Sequence, residues 1–321
     1  MRTGHRGRFA PSPTGDLHLG SAATALVAWL AARSAGATFV LRVEDIDVPR
    51  VVAGCETRQV DELRWLGLDW DEGPDVGGDR GPYRQSQRLA SYEEALERLR
   101  AAGLTYLCDC SRAEIARVAS APHAGDEGPR YPGTCRAFGH APREFRRAPA
   151  VRLAVPPGEV VVVDRWQGEV RQDVAREVGD FVLRRGDGVF AYQLAVVVDD
   201  LAMGIEEVVR GADLLESAPR QALLARLLGA EPPGFAHAPL VVGPDGERLA
   251  KRARGVPLRD RREAGETGPA VLGHLARLLG LVAPGDPAPA SARSLLDRVD
   301  LSVLRGSQRV LLRGATDPAD C

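Results

Sequence analysis

The apolar positions between Gly7 and Val43 change period twice. Gly7 to Ala10 reads as a short strand that runs into PSPTGD, where alternating proline and glycine force an extended loop. Gly20 to Arg33 is rich in alanine and leucine and has no internal proline, so it reads as a helix. Thr38 to Val43 (TFVLRV) is β-rich, and the opening is therefore a βαβ unit, the building block of a parallel sheet. Helical periodicity returns over Glu56 to Leu66 and Arg84 to Ala102. A Cys-, Gly- and Pro-rich stretch from 105 to about 140 breaks the pattern. A second α/β stretch, FVLRRGDGVFAYQLAVVVDD, then leads to a helix over Pro219 to Leu228 and a strand over Pro239 to Val242. After a loop around Lys251 the chain is mainly helical, interrupted by APGDPAPAS, with Ala283 to Ala290 read as a loop or linker. No internal repeat is present. The pattern predicts an α/β fold.

Composition narrows the options. A chain of 321 residues, 44% apolar and 27% charged, can bury a substantial core and is ordinary for a soluble globular protein. No apolar stretch is long enough to span a bilayer, and the start, MRTGHRGRFAPSPTG, lacks the apolar segment of a secretory signal, so a cytoplasmic address is expected. A formal net charge of −2 excludes a histone-like binder. It leaves room for a local basic face, for which Arg143 to Arg147 and Arg259 to Arg262 are candidates, although such runs are usually solvated surface. The five cysteines are Cys55, Cys108, Cys110, Cys135 and Cys321. An odd number, three of them clustered, fits a reduced compartment and a metal site better than a disulfide framework.

Two segments carry candidate chemistry. Pro11 to Ser21, PSPTGDLHLGS, lies between the first strand and first helix, where backbone N–H groups and the helix dipole favour a phosphate. His18 there can donate to phosphate oxygens as charge develops, and Gly20, lacking a Cβ, lets a flat base approach the backbone. A lone histidine before a helix is ordinarily a structural hydrogen-bonder. Far downstream, Arg248 to Arg252 (RLAKR) follows a Gly-Pro-Asp-Gly turn, and an ammonium at Lys251 would offset charge on a leaving pyrophosphate.

Together, GRFAPSPTGDLHLG and RLAKR resemble the two ATP-binding signatures of class I aminoacyl-tRNA synthetases, in the glutamyl branch. His18-Leu19-Gly20-Ser21 stands for the "HIGH" element, with Ser21 where a second histidine is usual. Lys251 stands for the second lysine of the "KMSKS" loop, with Arg248 and Ala250 replacing its first lysine and a serine. The resemblance runs from about Arg6 to Arg252. It implies an α/β, Rossmann-type parallel-sheet nucleotide-binding core over 1–104 and 150–250, a zinc-binding acceptor-type insertion over 105–149, and a KMSKS-like loop with a mainly helical C-terminal segment over 251–321. ATP would contact His18, Gly20, Ser21 and Lys251, with Mg2+ accompanying it, and His18 and Lys251 would be catalytic.

The same resemblance implies a glutamate pocket from Arg8, Phe9, Ala10, Pro11, Ser12, Glu44, Tyr192 and Arg210. Glu44 would hold the α-ammonium, Arg8 and Arg210 the carboxylates, and Tyr192 would pack against or hydrogen-bond the substrate. Arginine suits carboxylates because its planar fork meets both oxygens. For the cysteines, spacing alone leaves the fourth ligand open between His123, His140 and Tyr131, since C-x-C is a weak zinc signal. The likeness of CDCSR…YPGTCR to the family selects one structural Zn2+ held by Cys108, Cys110, Tyr131 and Cys135, with His123 in reserve. Too few residues follow Arg252 for a further domain of the usual roughly 100–150 residues, so no anticodon-binding domain is expected. The chain therefore resembles the stand-alone core paralogues of the branch. These activate glutamate without tRNA, as monomers in this reading, and pass it to the queuosine of tRNA(Asp). A truncated enzyme charging the tRNA 3′ end is the alternative.

Overall fold

The computed structural model describes residues 5–118, 130–243 and 257–312. The opening unit forms as expected. Strand β1 (Arg6–Phe9), helix α1 (Leu19–Ser34) and strand β2 (Thr38–Leu41) make a β-α-β crossover, with β1 and β2 parallel and Arg6 opposite Thr38. Helix α1 is apolar on nearly every side, and it is buried on nearly every side. Its one large aromatic, Trp29, is fully buried and donates its indole N–H to the Asp69 carboxylate at 2.9 Å. Gly36, in the left-handed region at φ 63°, ends the helix where a side chain would be strained.

Helix α2 (Cys55–Trp65) follows close to its expected limits, but the helix expected over Arg84 to Ala102 is shorter, α3 (Leu89–Ala101). The residues before it are recruited elsewhere. Arg84 grips Glu56, the Gln85 N–H donates to the Val43 carbonyl, and the Ser86 N–H donates to Asp45. Next come β3 (Thr105–Cys108), α4 (Arg112–Val118), β4 (Ala150–Leu153), the hairpin β5 (Glu159–Asp164) and β6 (Gly168–Asp173), the turn α5 (Val174–Glu177), and β7 (Val182–Arg184). The stretch YQLAVVVDD is helical, α6 (Tyr192–Ala202), despite its three consecutive valines, because both its faces are covered. The rest is β8 (Glu207–Gly211), α7 (Ala218–Leu227), β9 (Gly234–Ala238), β10 (Leu240–Val242), α8 (Leu258–Glu263), α9 (Gly268–Leu278) and β11 (Arg309–Leu311).

The main sheet has the order β2-β1-β8-β9-β5-β6. It is mixed, not purely parallel: β6 is an edge strand antiparallel to β5, because only three residues separate the hairpin's ends, too few for a crossover. Alternate residues enter two cores. Phe39, Leu41, Val209 and Ala236 pack on the side of α1 and α9, whereas Val40, Val208 and Phe235 pack on the side of α3, α6 and α7. Strands β3, β4 and β7 form a separate three-stranded sheet, in which β4 pairs with β3, the first strand of the insertion, and β7 pairs with β4. The C-terminal segment is not helical throughout, since β11 pairs in parallel with β10. Among the described residues, no helix is long and apolar enough to cross a membrane.

Candidate active site

Parallel sheets bind ligands beyond the carboxyl ends of their strands. At that edge, the loop after β1 is held from α2. The Gln59 amide donates to the carbonyls of Ser12 and Gly15, and the Leu17 N–H donates to Glu62. His18 is the N-cap of α1. Its Nδ1 accepts the N–H groups of Gly20 at 3.1 Å and Ser21 at 3.2 Å, while Ser21 Oγ accepts the His18 N–H at 2.8 Å. This is a reciprocal cap, and it gives Ser21 a role that the missing second histidine had left open. It also revises one expectation. Two first-turn amides that would have been free for a phosphate are already occupied by the ring.

A ring that accepts at Nδ1 carries its proton on Nε2, as a neutral donor. Burial holds the His18 pKa below the usual 6.5, which keeps that state in place. Gly20 matters to the ring itself: a Cβ there would lie 3.0 Å from His18 Cε1 and 3.1 Å from Nδ1. Lys251 lies outside the described residues, as do Arg248, Ala250 and Arg252. The residues flanking that segment do reach this corner. Pro257 bridges His18, the Leu258 N–H donates to the Leu17 carbonyl at 2.8 Å, and Val241 of β10 lies 4.0 Å from the Gly20 Cβ position.

The proposed glutamate residues gather where β1, β2, β8 and α6 meet. The Glu44 N–H donates to the Pro11 carbonyl at 3.0 Å, tying the loop to the end of β2. Phe9 offers only main chain at this edge, because its ring is in the core, while Ala10 is half-buried and Ser12 exposed. Arg8 is buried and donates to Asp200 at 3.2 Å and to the Val209 carbonyl at 2.9 Å. Arg42, fully buried, joins Asp200 at 2.7 Å to Glu44 at 3.0 Å. Behind them Asp199, also fully buried, accepts from Arg88 at 2.5 Å, Gln85 at 2.8 Å and Tyr92 at 2.9 Å.

Arg210 differs from these arginines. Its three hydrogen bonds go to His237 Nε2 at 2.9 Å, Gln221 Oε1 at 2.6 Å and the Leu214 carbonyl at 3.2 Å, all neutral acceptors. Burial holds its pKa below the usual guanidinium range, with Arg8 acting in the same direction and Asp200 and Glu44 opposing. Glu44 is the converse: burial raises its pKa above 4.5, against the pull of Arg42 and Arg8. Tyr192 sits within electrostatic reach of Arg210, Glu44 and Arg8, and burial raises its pKa. The pocket thus holds a buried guanidinium with neutral hydrogen-bond partners and a buried carboxylate paired with Arg42.

Several of these residues escape a sequence reading, namely Arg42, Asp199, Asp200, Gln221 and His237. The available signal was ionisable groups inside apolar runs: Asp199 and Asp200 end AVVV, and His237 interrupts the strand FAHA.

The cysteines form a second centre. The sulfurs of Cys108, Cys110 and Cys135 lie within 4.8 Å of one another, with Cys110 and Cys135 at 3.6 Å. The Tyr131 hydroxyl is 3.3 Å from Cys108 and 3.8 Å from Cys110. A tetrahedral zinc with Zn–S bonds of about 2.3 Å needs sulfurs roughly 3.8 Å apart, so the donor set fits that ion. Arg152 stacks its guanidinium 3.9 Å from the Tyr131 ring centre, and the Cys135 sulfur lies 3.7 Å from Asp109 Oδ1. His140 is engaged elsewhere, its Nε2 2.8 Å from Thr105 Oγ1. His123 lies outside the described residues.

A mixed α/β sheet whose carboxyl edge carries a capped histidine beside a buried charged pocket defines a class I nucleotide-activating core. The chain belongs to the family of class I tRNA synthetases for E and Q, whose catalytic domain matches residues 5–301; it is a ligase. It is 52% identical over 301 residues to the glutamyl-Q tRNA(Asp) synthetase of Symbiobacterium thermophilum, covering 92% of each chain. It is 49% identical over 323 residues to the protein of the same name from Nocardia farcinica, covering 99% of this chain and 97% of that one. The crystal structure of the glutamate-tRNA synthetase from Elizabethkingia anophelis superposes with a TM-score of 0.79 at 28% identity, over 97% of this chain and 68% of that one.

Proposed function

We propose that this protein activates glutamate with ATP and transfers it to the queuosine of tRNA(Asp). The supporting observation is the charge state of the pocket. A buried carboxylate at one end of the pocket (Glu44, paired with Arg42) and at the other a buried guanidinium bonded only to neutral acceptors among the described residues (Arg210) suit a substrate carrying an ammonium at one end and a carboxylate at the other. In this reading Arg8, with Ala10 to Ser12, orients the reacting carboxylate, and Tyr192 packs along the substrate.

In the first step, an oxygen of the glutamate α-carboxylate attacks the α-phosphorus of ATP. The bond to the β-phosphate bridging oxygen breaks, giving glutamyl-adenylate and pyrophosphate. His18 donates from Nε2 to the phosphate oxygens as charge builds, Lys251 offsets charge on the pyrophosphate, and Mg2+ enters with ATP. In the second step, a cyclopentenediol hydroxyl of queuosine attacks the activated carbonyl, AMP leaves, and the hydroxyl proton passes to solvent. A structural Zn2+ on Cys108, Cys110, Tyr131 and Cys135 shapes the insertion and takes no part in either step.

The preference for queuosine over the 3′ end is supported by near full-length similarity to proteins named glutamyl-Q tRNA(Asp) synthetase. The test incubates the protein with ATP, labelled glutamate and tRNA from strains with and without queuosine. Pyrophosphate exchange without tRNA, and label retained only on queuosine-containing tRNA(Asp), are expected. Label on the 3′ end of queuosine-free tRNA would favour a truncated glutamate–tRNA ligase, and no glutamate-dependent exchange would end the proposal.

A further inference from the structure

Arg210, His237 and Asp164 stand on three neighbouring strands. Arg210 and His237 are direct partners in the β8–β9 ladder, and Asp164 closes β5 opposite Phe235. Asp164 Oδ1 is occupied by the N–H groups of Trp166 at 3.0 Å and Gln167 at 2.9 Å, which form the β5–β6 turn. Oδ2 remains, and it lies 2.6 Å from His237 Nδ1. An ionised carboxylate only accepts, so the imidazole proton sits on Nδ1. Nε2 then presents a lone pair, and Arg210 Nε–H donates to it at 2.9 Å.

We infer that Asp164 and His237 are positioning residues that fix the tautomer of His237 and thereby orient the Arg210 guanidinium toward the side-chain carboxylate of the amino-acid substrate. The inference rests on the reading of Arg210 given above. A guanidinium has five N–H donors. Nε is bound by His237, and one donor on each terminal nitrogen is bound by Gln221 and by the Leu214 carbonyl. Among the described residues one N–H is left on each terminal nitrogen, enough for a two-point carboxylate contact. A neutral imidazole anchors Nε without cancelling the charge, whereas a carboxylate in its place would compete with the substrate. The Asp164 charge is kept one ring away. Phe235 stacks on the ring and adds no charge, and the Leu214 main chain, which also binds Arg210, lies within hydrogen-bonding reach of it.

The test inverts the tautomer without changing shape. Asp164→Asn retains an oxygen for the turn amides but sets an NH2 group against Nδ1. The ring proton is then driven to Nε2, donor against donor with Arg210. The glutamate KM in pyrophosphate exchange is expected to rise on the order of 10- to 100-fold. The ATP KM, and kcat at saturating glutamate, should stay within about threefold. Nitrogen-15 NMR of the histidine ring reports the tautomer directly: Nδ1–H in the wild type and Nε2–H in the variant. Should Asp164→Asn fail to fold, His237→Gln and His237→Leu replace it. Glutamine can donate to Asp164 and accept from Arg210 and should hold the glutamate KM within a few-fold; leucine should raise it as far as the inverted tautomer does. An inverted tautomer with unchanged glutamate KM, or a wild-type ring protonated at Nε2, would overturn the inference. A wild type inactive with glutamate would instead remove the reading of Arg210 beneath it.

Discussion

Substituting Gly20 by alanine separates folding from chemistry. The new Cβ would sit 3.0 Å from His18 Cε1 and 3.1 Å from Nδ1, where carbon contacts prefer about 3.5–4.0 Å. The ring must move by roughly half an ångström, and its bonds to the Gly20 and Ser21 amides, already 3.1 and 3.2 Å, lengthen beyond use. Losing the cap costs about 1 kcal/mol. Alanine in place of glycine inside the helix returns up to about 1 kcal/mol. The two nearly cancel, so the melting temperature should move by no more than a few degrees. Catalysis has no such offset, because the Nε2–H donor moves with the ring, and kcat for glutamate-dependent exchange should fall on the order of 10- to 100-fold. Circular-dichroism melts beside exchange kinetics with ATP varied read both quantities. A folded variant with wild-type kcat would refute the reasoning. A rise confined to the ATP KM would place the obstruction at the base, not at the histidine.

Other substitutions probe the pocket and the metal centre. Arg210→Ala should raise the glutamate KM by the equivalent of about 2–5 kcal/mol in exchange assays, and an unchanged KM would remove it from the pocket. Asp200→Asn leaves Arg8 and Arg42 without their shared carboxylate and should lower stability by about 3–5 kcal/mol in urea titrations; a loss below about 1 kcal/mol would show that the pair relaxes. Protein purified without chelator should carry about one zinc per chain by elemental analysis, and Cys110→Ser should reduce that content; a metal-free wild type would end the zinc assignment. Burial holds the His237 imidazole below its ordinary 6.5, with Arg210 in the same direction and Asp164 opposing. The folded state therefore binds fewer protons than the unfolded one, so this contribution is complete above pH 6.5 and is lost as pH falls from there toward the folded value. The stability gap between wild type and His237→Gln in urea should narrow below pH 6.5, and a pH-independent gap would contradict this.

The βαβ opening was legible because periodicity, proline-free helix composition and β-branched clustering agree over Arg6 to Leu41. The candidate pocket was legible only through resemblance, since Arg8, Glu44, Tyr192 and Arg210 are far apart in sequence. Their supporting shell was not. Asp200 and Arg42 are separated by 158 positions, and nothing local marks them as partners. The small sheet was not legible for a similar reason: nothing local marks Ala150–Leu153 as the partner of both β3 and β7. The α-helix expected from Arg84 starts only at Leu89, because Glu56, Val43 and Asp45 engage Arg84, Gln85 and Ser86.

The parallel pairing of β11 with β10 has a consequence for how the far end of the described chain communicates with the nucleotide corner. β10 runs beside Gly20, and Gln167 bridges the carbonyls of His237 and Ser307. Whatever loosens residues 307–312, such as a truncation or a fused tag, would be transmitted along that ribbon to the take-off point of the lysine-bearing segment, more than sixty positions upstream in the chain.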